Sequence, residues 1–196
     1  VTKTSFAVST DATRYHLNGV YFERLDPKIM RMTATDGHRL SFVDKEVFLQ
    51  APEFKRGIII PRKGLQEFRK LLSEAPEAVG LSFERGYLFC QFANISLFIR
   101  LIEGEYPDYR LVIPKAADRI AKIPRDLFVS ALKRISLFAS EKSGGVKMSI
   151  QNQSLVITSS NPDMGDAREE MDIEHEGETV EIAFNARYLL ECLAVT

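Results

Sequence analysis

The chain has 196 residues, with 26 Lys and Arg against 27 Asp and Glu for a formal net charge of −1, and 45% of it is hydrophobic. That composition fits one large or two small globular domains and excludes a disordered chain, which would be poorer in apolar residues and further from neutrality. No apolar run approaches the roughly 18 residues of a membrane helix, and two cysteines without a spacing motif exclude a disulfide framework or a Cys-rich zinc site, so a reducing cytosol is the expected compartment. The near-neutral sum speaks against a nucleic-acid partner only if the charges are evenly spread.

In chain order, residues 1–9 (VTKTSFAVS) resemble the last turns of a helix whose start is absent. Residues 17–23 and 29–34 are predicted as strands joined by an Asp26-Pro27 turn, followed by a polar turn at 35–39 (TDGHR) and a third strand at 40–48. A buried strand at 57–60 leads into a helix at 61–73, where Pro61 is tolerated because the first helical amides lack intrahelical partners. Residues 81–84, 88–92 and 95–102 read as a meander with turns at Arg85-Gly86 and Ala93-Asn94, and 103–109 (EGEYPDY) as a tight turn leading to 111–113. The polar segment 115–123, bounded by Pro114 and Pro124, is the predicted linker. An amphipathic helix follows at 125–140, then strands at 146–150, 154–159, 167–174 and 179–184, and a helix from 185 to 195 with Asn185 as its N-cap.

This order contains a repeat. Gly19-Val20 and Gly145-Val146 each open a run of three strands, and each run leads to a strand-to-helix step, GIIIPRKGLQEF in one case and VEIAFNARYLL in the other. Two copies of one unit of helix and antiparallel sheet follow, an α+β arrangement. The second copy has its helix but not the meander that follows the first, so the chain is expected to be part of a longer protein.

Advancing about 100° per residue puts Arg62, Lys63, Gln66, Arg69 and Lys70 on one helix face and Leu65, Phe68, Leu71 and Leu72 on the other. In the helix at 125–140 the apolar face holds Leu127, Phe128, Ala131, Leu132, Ile135, Phe138 and Ala139, while Arg125, Lys133 and Arg134 lie opposite, diluted by Asp126. Cations gathered in this way suit contact with phosphates without reading base edges. No zinc-finger or basic-zipper pattern accompanies them.

Asp36, His38 and Arg39 could form a catalytic cluster, which gives the rival reading of a metal-dependent phosphodiesterase or nuclease using Asp36 and His38. Asp-Gly is first a turn dipeptide, however, and no metal-ligand spacing lies nearby. His16 and His175 are isolated, and Cys90 and Cys192 read as core thiols. No P-loop, dinucleotide fingerprint, nucleophile elbow or HExxH motif is present. The expectation is a non-catalytic protein without cofactor or metal. Leu17, Leu40, Pro107 and Val112, apolar residues beside turns, group with Arg14, His38, Arg39 and Arg110 as a possible groove for a short peptide.

The segments RYHLNGVYFE, ATDGHRLS, IIIPRKGLQEF, EGEYPDYR, SGGVKMSI and ITSSNP together resemble the bacterial sliding clamps, the beta subunits of DNA polymerase III, across nearly the whole chain. The resemblance implies a clamp fold in which residues 1–114 are the middle domain (1–9 being the tail of a truncated helix), 115–123 a linker and 124–196 part of the third domain. It implies a processivity factor that encircles duplex DNA independently of sequence as a homodimeric ring and tethers the replicative polymerase alpha subunit, the clamp loader and other proteins carrying a clamp-binding motif. Arg14, Tyr15, Arg62, Lys63, Arg69, Lys70, Arg125 and Lys133 are the implied DNA contacts. Leu17, Thr35, Gly37, His38, Arg39, Leu40, Pro107, Arg110 and Val112 are the implied peptide contacts. Two positions depart from the family pattern: His16 stands where a second aromatic is common, and Leu111 where a basic residue can occur.

Overall fold

The computed structural model describes residues 1–47, 56–74, 79–92, 94–116, 119–140 and 144–196. Phe48, Ala93 and Ser143, which belong to segments named above, lie outside the described residues, as do 117–118 of the expected linker. The chain divides into two compact units, Val1–Leu111 and Val112–Thr196.

The first unit opens with α1 (Thr2–Ser5) and a 3-10 segment (Ala12–Leu17). Strands β1 (Gly19–Asp26), β2 (Ile29–Thr35), β3 (Leu40–Glu46) and β4 (Ile58–Pro61) form an antiparallel sheet in the order β3-β2-β1-β4. Helix α2 (Arg62–Glu74) follows β4 without a break. A second antiparallel sheet, β5-β6-β7, is built from Gly80–Glu84, Tyr87–Phe92 and Ile95–Arg100. The core gathers Val20, Ala34 and Ile60 from the first sheet, Leu65 and Phe68 from α2, and Leu88, Cys90 and Ile99 from the second. Burying a side chain of Leu or Ile size contributes about 1.5–3 kcal/mol, so this cluster outweighs the weak intrinsic preferences of strands four to eight residues long. Gly64 sits inside α2 because a Cβ there would meet Ile99 Cγ2 at 2.4 Å; its absence lets the helix close on β7.

The second unit contains β8 (Ala121–Lys122), α3 (Arg125–Ser136), β9 (Gly145–Gln151), β10 (Ser154–Asn161), β11 (Gly165–Asp172), β12 (Glu174–His175), β13 (Val180–Asn185) and α4 (Ala186–Leu193). Its main sheet has the order β11-β10-β9-β13, and β8 pairs with β12. Phe128, Leu132 and Ile135 of α3 pack on Val146, Met148, Leu155 and Ile157 of the sheet. Asn185 caps α4 as expected, its side chain accepting a hydrogen bond from the Arg187 N–H at 3.0 Å.

The repeat is visible in topology and register. The strand order β3-β2-β1-β4 recurs as β11-β10-β9-β13. Gly19 lies opposite Pro61, and Gly145 opposite Asn185, each partner being the residue immediately before a helix. The α+β expectation holds.

Several local expectations need correction. Leu17 ends the 3-10 segment rather than starting β1, and Tyr109–Val112 is a 3-10 turn. Residues 167–174 are not one strand: β11 ends at Asp172, and Glu174–His175 turn to pair with Ala121–Lys122. That pairing also makes 121–122 part of the second unit rather than linker. Helix α3 stops at Ser136, so Phe138 and Ala139 lie beyond it. Leu127 is 60% exposed and Leu72 37%, because both lie at the margins of their apolar arcs. Cys192 is exposed, whereas Cys90 is buried.

Candidate functional site

The outward face of α2 carries Arg62, Lys63, Gln66, Arg69 and Lys70, all exposed, while Leu65 and Phe68 are buried on the opposite side. Lys70 Nζ binds Glu67 at 2.9 and 3.2 Å, a pair one turn apart. Arg62, Lys63 and Arg69, three exposed cations of that face, make no ion pair among the described residues.

Helix α3 differs. Arg134 forms a two-pronged pair with Glu169 of β11, at 2.6 and 2.8 Å. Arg125 donates to the Leu193 carbonyl oxygen at the end of α4, at 2.6 and 3.2 Å, and also pairs with Asp126 at 3.0 Å. Lys133 is left exposed, with no ion pair among the described residues. On α4, Arg187 pairs with Glu191 at 2.8 Å. Of the eight cationic or aromatic side chains expected at DNA, Arg62, Lys63, Arg69 and Lys133 are the cations that form no ion pair among the described residues.

Arg14 and Tyr15 lie on the 3-10 segment. Arg14 reaches over the 34–40 turn, its Nη1 3.4 Å from the Asp36 carbonyl oxygen, and also lies 3.8 Å from Asp11. Tyr15 is 57% exposed and meets the His16 ring edge-on at 5.6 Å. Leu17 is buried at 5% exposure, so it supports the neighbouring surface from beneath.

The 34–40 turn is held by its own side chains. Asp36 Oδ1 accepts from the backbone N–H groups of His38 and Arg39 at 2.9 and 3.0 Å, and Oδ2 accepts from Arg39 Nε at 3.0 Å. Thr35 Oγ1 donates to the Arg39 carbonyl oxygen at 2.7 Å and accepts from the Gly37 N–H at 3.0 Å. Gly37 has φ +89°, a conformation that favours glycine, and a Cβ there would also displace the end of the Arg14 side chain, whose Nη1 lies 2.7 Å from that position. Arg39 reaches back to the Phe6 carbonyl oxygen at 2.7 Å and lies over the Phe6 ring. His38 is exposed and Leu40 half-buried at the start of β3.

The segment leading to Leu111 lies along the same unit. Tyr106 stacks on Tyr21 of β1, with centroids 4.9 Å apart and planes at 7°. Its hydroxyl accepts from the Thr35 N–H at 3.0 Å, and burial raises its pKa. Pro107 is exposed, its carbonyl oxygen accepting from the Tyr109 N–H at 2.8 Å. Tyr109 is buried and donates its hydroxyl hydrogen to Glu23 Oε1. Arg110 Nη2 donates to Glu23 Oε2 at 2.5 Å. Arg31 completes the group, donating to the Tyr109 hydroxyl at 3.3 Å and to both Asp44 oxygens at 2.6 and 2.7 Å. Those bonds hold the Asp44 carboxyl below its ordinary pKa. Val112, 69% exposed, belongs to the second unit.

Sequence reasoning did not find Glu23, Tyr106 or Tyr109. The signal available was a carboxylate in the apolar run GVYFE, which demands a partner when buried. The partners lie 86 and 87 residues away.

A catalytic use of Asp36 and His38 has no support in this geometry, because both Asp36 oxygens are already engaged within their own turn. No group of three or more His, Cys, Asp or Glu side chains among the described residues could hold a metal ion. No helix among them is long and apolar enough to cross a membrane.

Comparison with known families and structures covers the whole of this geometry. Residues 1–108 match the family model described as DNA polymerase III beta subunit, central domain, and residues 110–196 match the C-terminal domain of the same subunit. The chain is 38% identical over 197 aligned residues to the Beta sliding clamp of Caulobacter vibrioides, spanning 97% of this chain and 52% of that protein. It is 32% identical over 195 residues to the Beta sliding clamp of Pseudomonas aeruginosa, spanning all of this chain and 53% of the relative. The chain therefore spans about half the length of the curated relatives it matches. Among solved structures, the DNA polymerase III subunit beta of Pseudomonas aeruginosa superposes with a TM-score of 0.92 at 33% identity, covering 99% of this chain and 53% of that one. The DnaN sliding clamp of Bartonella birtlesii bound to griselimycin gives 0.90 at 37% identity, covering 98% and 53%.

Proposed function

The chain belongs to the DNA polymerase III beta subunit family, the bacterial sliding clamps, and from that we propose that it serves as the central and third-domain portion of a processivity factor. In this reading the protein encircles duplex DNA without regard to sequence, as a homodimeric ring in its full-length form, and performs no chemistry of its own. It works in the bacterial cytoplasm at replication forks. It tethers the replicative polymerase alpha subunit, and receives the clamp loader and other partners, through a short peptide bearing Gln, Leu and Phe.

The observation that carries the proposal is the face of α2. Arg62, Lys63 and Arg69 are exposed, share one side of a helix and have no ion pair among the described residues. Exposed cations that no described residue neutralises suit a phosphate backbone that slides past, since they neutralise charge without fixing a register. Lys133 on α3 adds to them, whereas Arg125 and Arg134 serve structure.

The peptide surface is assigned to Thr35, Gly37, His38, Leu40 and Pro107 of the first unit, with Leu17 buried in the same unit. The griselimycin complex of the Bartonella birtlesii clamp supports a ligand-binding surface in this family. The test is fluorescence anisotropy with two probes, a labelled duplex across a salt series and a labelled Gln/Leu/Phe peptide. Salt-sensitive duplex binding, together with saturable peptide binding lost on substitution of Pro107 and His38, is expected. Failure to bind the peptide defeats the surface assignment, and salt-independent duplex binding defeats the role of α2.

A further inference from the structure

We propose that Glu23 is a positioning residue of the peptide surface, holding the turn that carries Pro107 in place without touching the peptide. The inference rests on the reading of that surface given above.

Glu23 lies on β1 and is 7% exposed, a carboxylate among the least expected residues to bury. Both its oxygens are used, and both by consecutive residues of one turn: Oε1 by the Tyr109 hydroxyl and Oε2 by the Arg110 guanidinium at 2.5 Å. Arg110 also lies over the Tyr109 ring, 5.5 Å from its centroid. Tyr109 is itself buried and takes a further hydrogen bond from Arg31, which is fixed by Asp44. The chain from Asp44 through Arg31 and Tyr109 to Glu23 therefore ties β3, β2, the turn and β1 together.

Pro107 is two residues from Tyr109, and its carbonyl oxygen accepts from the Tyr109 N–H at 2.8 Å. A rigid Tyr109 therefore fixes Pro107. On the other side, Tyr106 accepts from the Thr35 N–H at 3.0 Å and stacks on Tyr21, two residues before Glu23. The two parts of the first unit's peptide surface, the 34–40 turn and Pro107, are thus joined through side chains that face β1. Arg110, expected from sequence to donate to the peptide, also holds Glu23 through Nη2 while its side chain stays 56% exposed. A carboxylate suits this task better than an amide, because it accepts from both a hydroxyl and a cation, and charge-assisted bonds are the stronger ones.

The experiment measures affinity for the labelled Gln/Leu/Phe peptide in the 196-residue chain, comparing wild type with Glu23→Gln, Tyr109→Phe and the double variant. Glu23→Gln keeps the shape and removes the charge; its peptide Kd is expected to rise about tenfold, the equivalent of one charge-assisted hydrogen bond. Because both residues act through the same turn, the double variant is expected to bind no more weakly than the product of the single effects, and nearer the weaker single variant. Hydrogen exchange at the amides of residues 108–111 should accelerate in Glu23→Gln without peptide present. A purely structural role predicts a lower melting temperature with the Kd unchanged in the folded protein, and that result overturns the proposal. Absence of peptide binding by the wild type is a separate result: it removes the peptide surface itself, and the positioning role with it.

Discussion

Arg39 Nη2 donates to the carbonyl oxygen of Phe6 at 2.7 Å, closing the 34–40 turn onto the segment that follows α1. The same side chain pairs with Asp36 at 3.0 Å, and both partners are about 15% exposed. Substituting Arg39 by Ala removes the guanidinium donor from Asp36 Oδ2 and from the Phe6 carbonyl oxygen, while Asp36 Oδ1 keeps its backbone donors. A loss of about 2–3 kcal/mol in unfolding free energy is expected. Urea denaturation checks it; a loss under 0.5 kcal/mol would mean that water replaces the guanidinium freely.

Gly37→Ala and Gly86→Ala separate two costs. Both glycines have positive φ, +89° and +81°. A Cβ at Gly86 meets nothing within 4 Å, whereas at Gly37 it meets Arg14. Gly86→Ala should cost about 1–2 kcal/mol from backbone strain alone. Gly37→Ala should cost about the same from strain, and by displacing the Arg14 guanidinium it alone should also alter peptide binding. Equal effects of the two substitutions on binding would refute the difference.

The cations of α2 and α3 should behave differently towards DNA. Removing Arg62 or Lys63 should reduce the slope of log K against log salt for duplex binding by about one each. Arg134→Ala should leave that slope unchanged, because Glu169 already neutralises the guanidinium. Its effect should appear instead as a modest loss of stability, of the size usual for exposed pairs. A salt slope moved as much by Arg134 as by Lys63 would show that the pairing opens on DNA.

The two thiols should react at very different rates. Burial pushes the Cys90 thiol up to about 11, so little thiolate exists near neutrality and the side chain is enclosed as well. Cys192 is exposed. Iodoacetamide near pH 8 should modify Cys192 first, and Cys90 only in denaturant or at strongly alkaline pH. Peptide mass mapping reads the order directly.

Asp44 supplies a pH prediction with a definite sign. Its folded-state pKa lies below the ordinary value because Arg31 bonds the ionised form. The resulting stabilisation is present above the unfolded value near 4 and is lost as pH falls through the lowered folded value. Asp44→Asn should therefore narrow the stability difference between pH 6 and pH 3. A difference unchanged by the substitution would count against this assignment.

Much of this fold was legible in the sequence. The run 88–92 between the Arg85-Gly86 and Ala93-Asn94 turns marked β6, and the apolar arc of Leu65 and Phe68 marked the buried side of α2, because turn residues and a 3.6-residue period are local properties. The repeat was legible from Gly19-Val20 and Gly145-Val146. Long-range pairing was not. Nothing near β8 announces a two-residue strand whose partner is Glu174–His175. Which cations remain available was also hidden, since Arg134 is neutralised from 35 residues away and Arg125 is engaged 68 residues away. Arg110 and Glu23 make the same point at the peptide surface.

The register of Gly19 with Pro61 sets more than the edge of a sheet. Since α2 begins at the next residue, the pairing fixes the rotational phase with which the helix leaves the sheet. A slip of one residue in β4 would turn every side chain of α2 by about 100°. Leu65 would leave the core, and the line of Arg62, Lys63 and Arg69 would point along the sheet rather than away from it. Insertions and deletions at 58–61 should therefore be tolerated far less well than substitutions there.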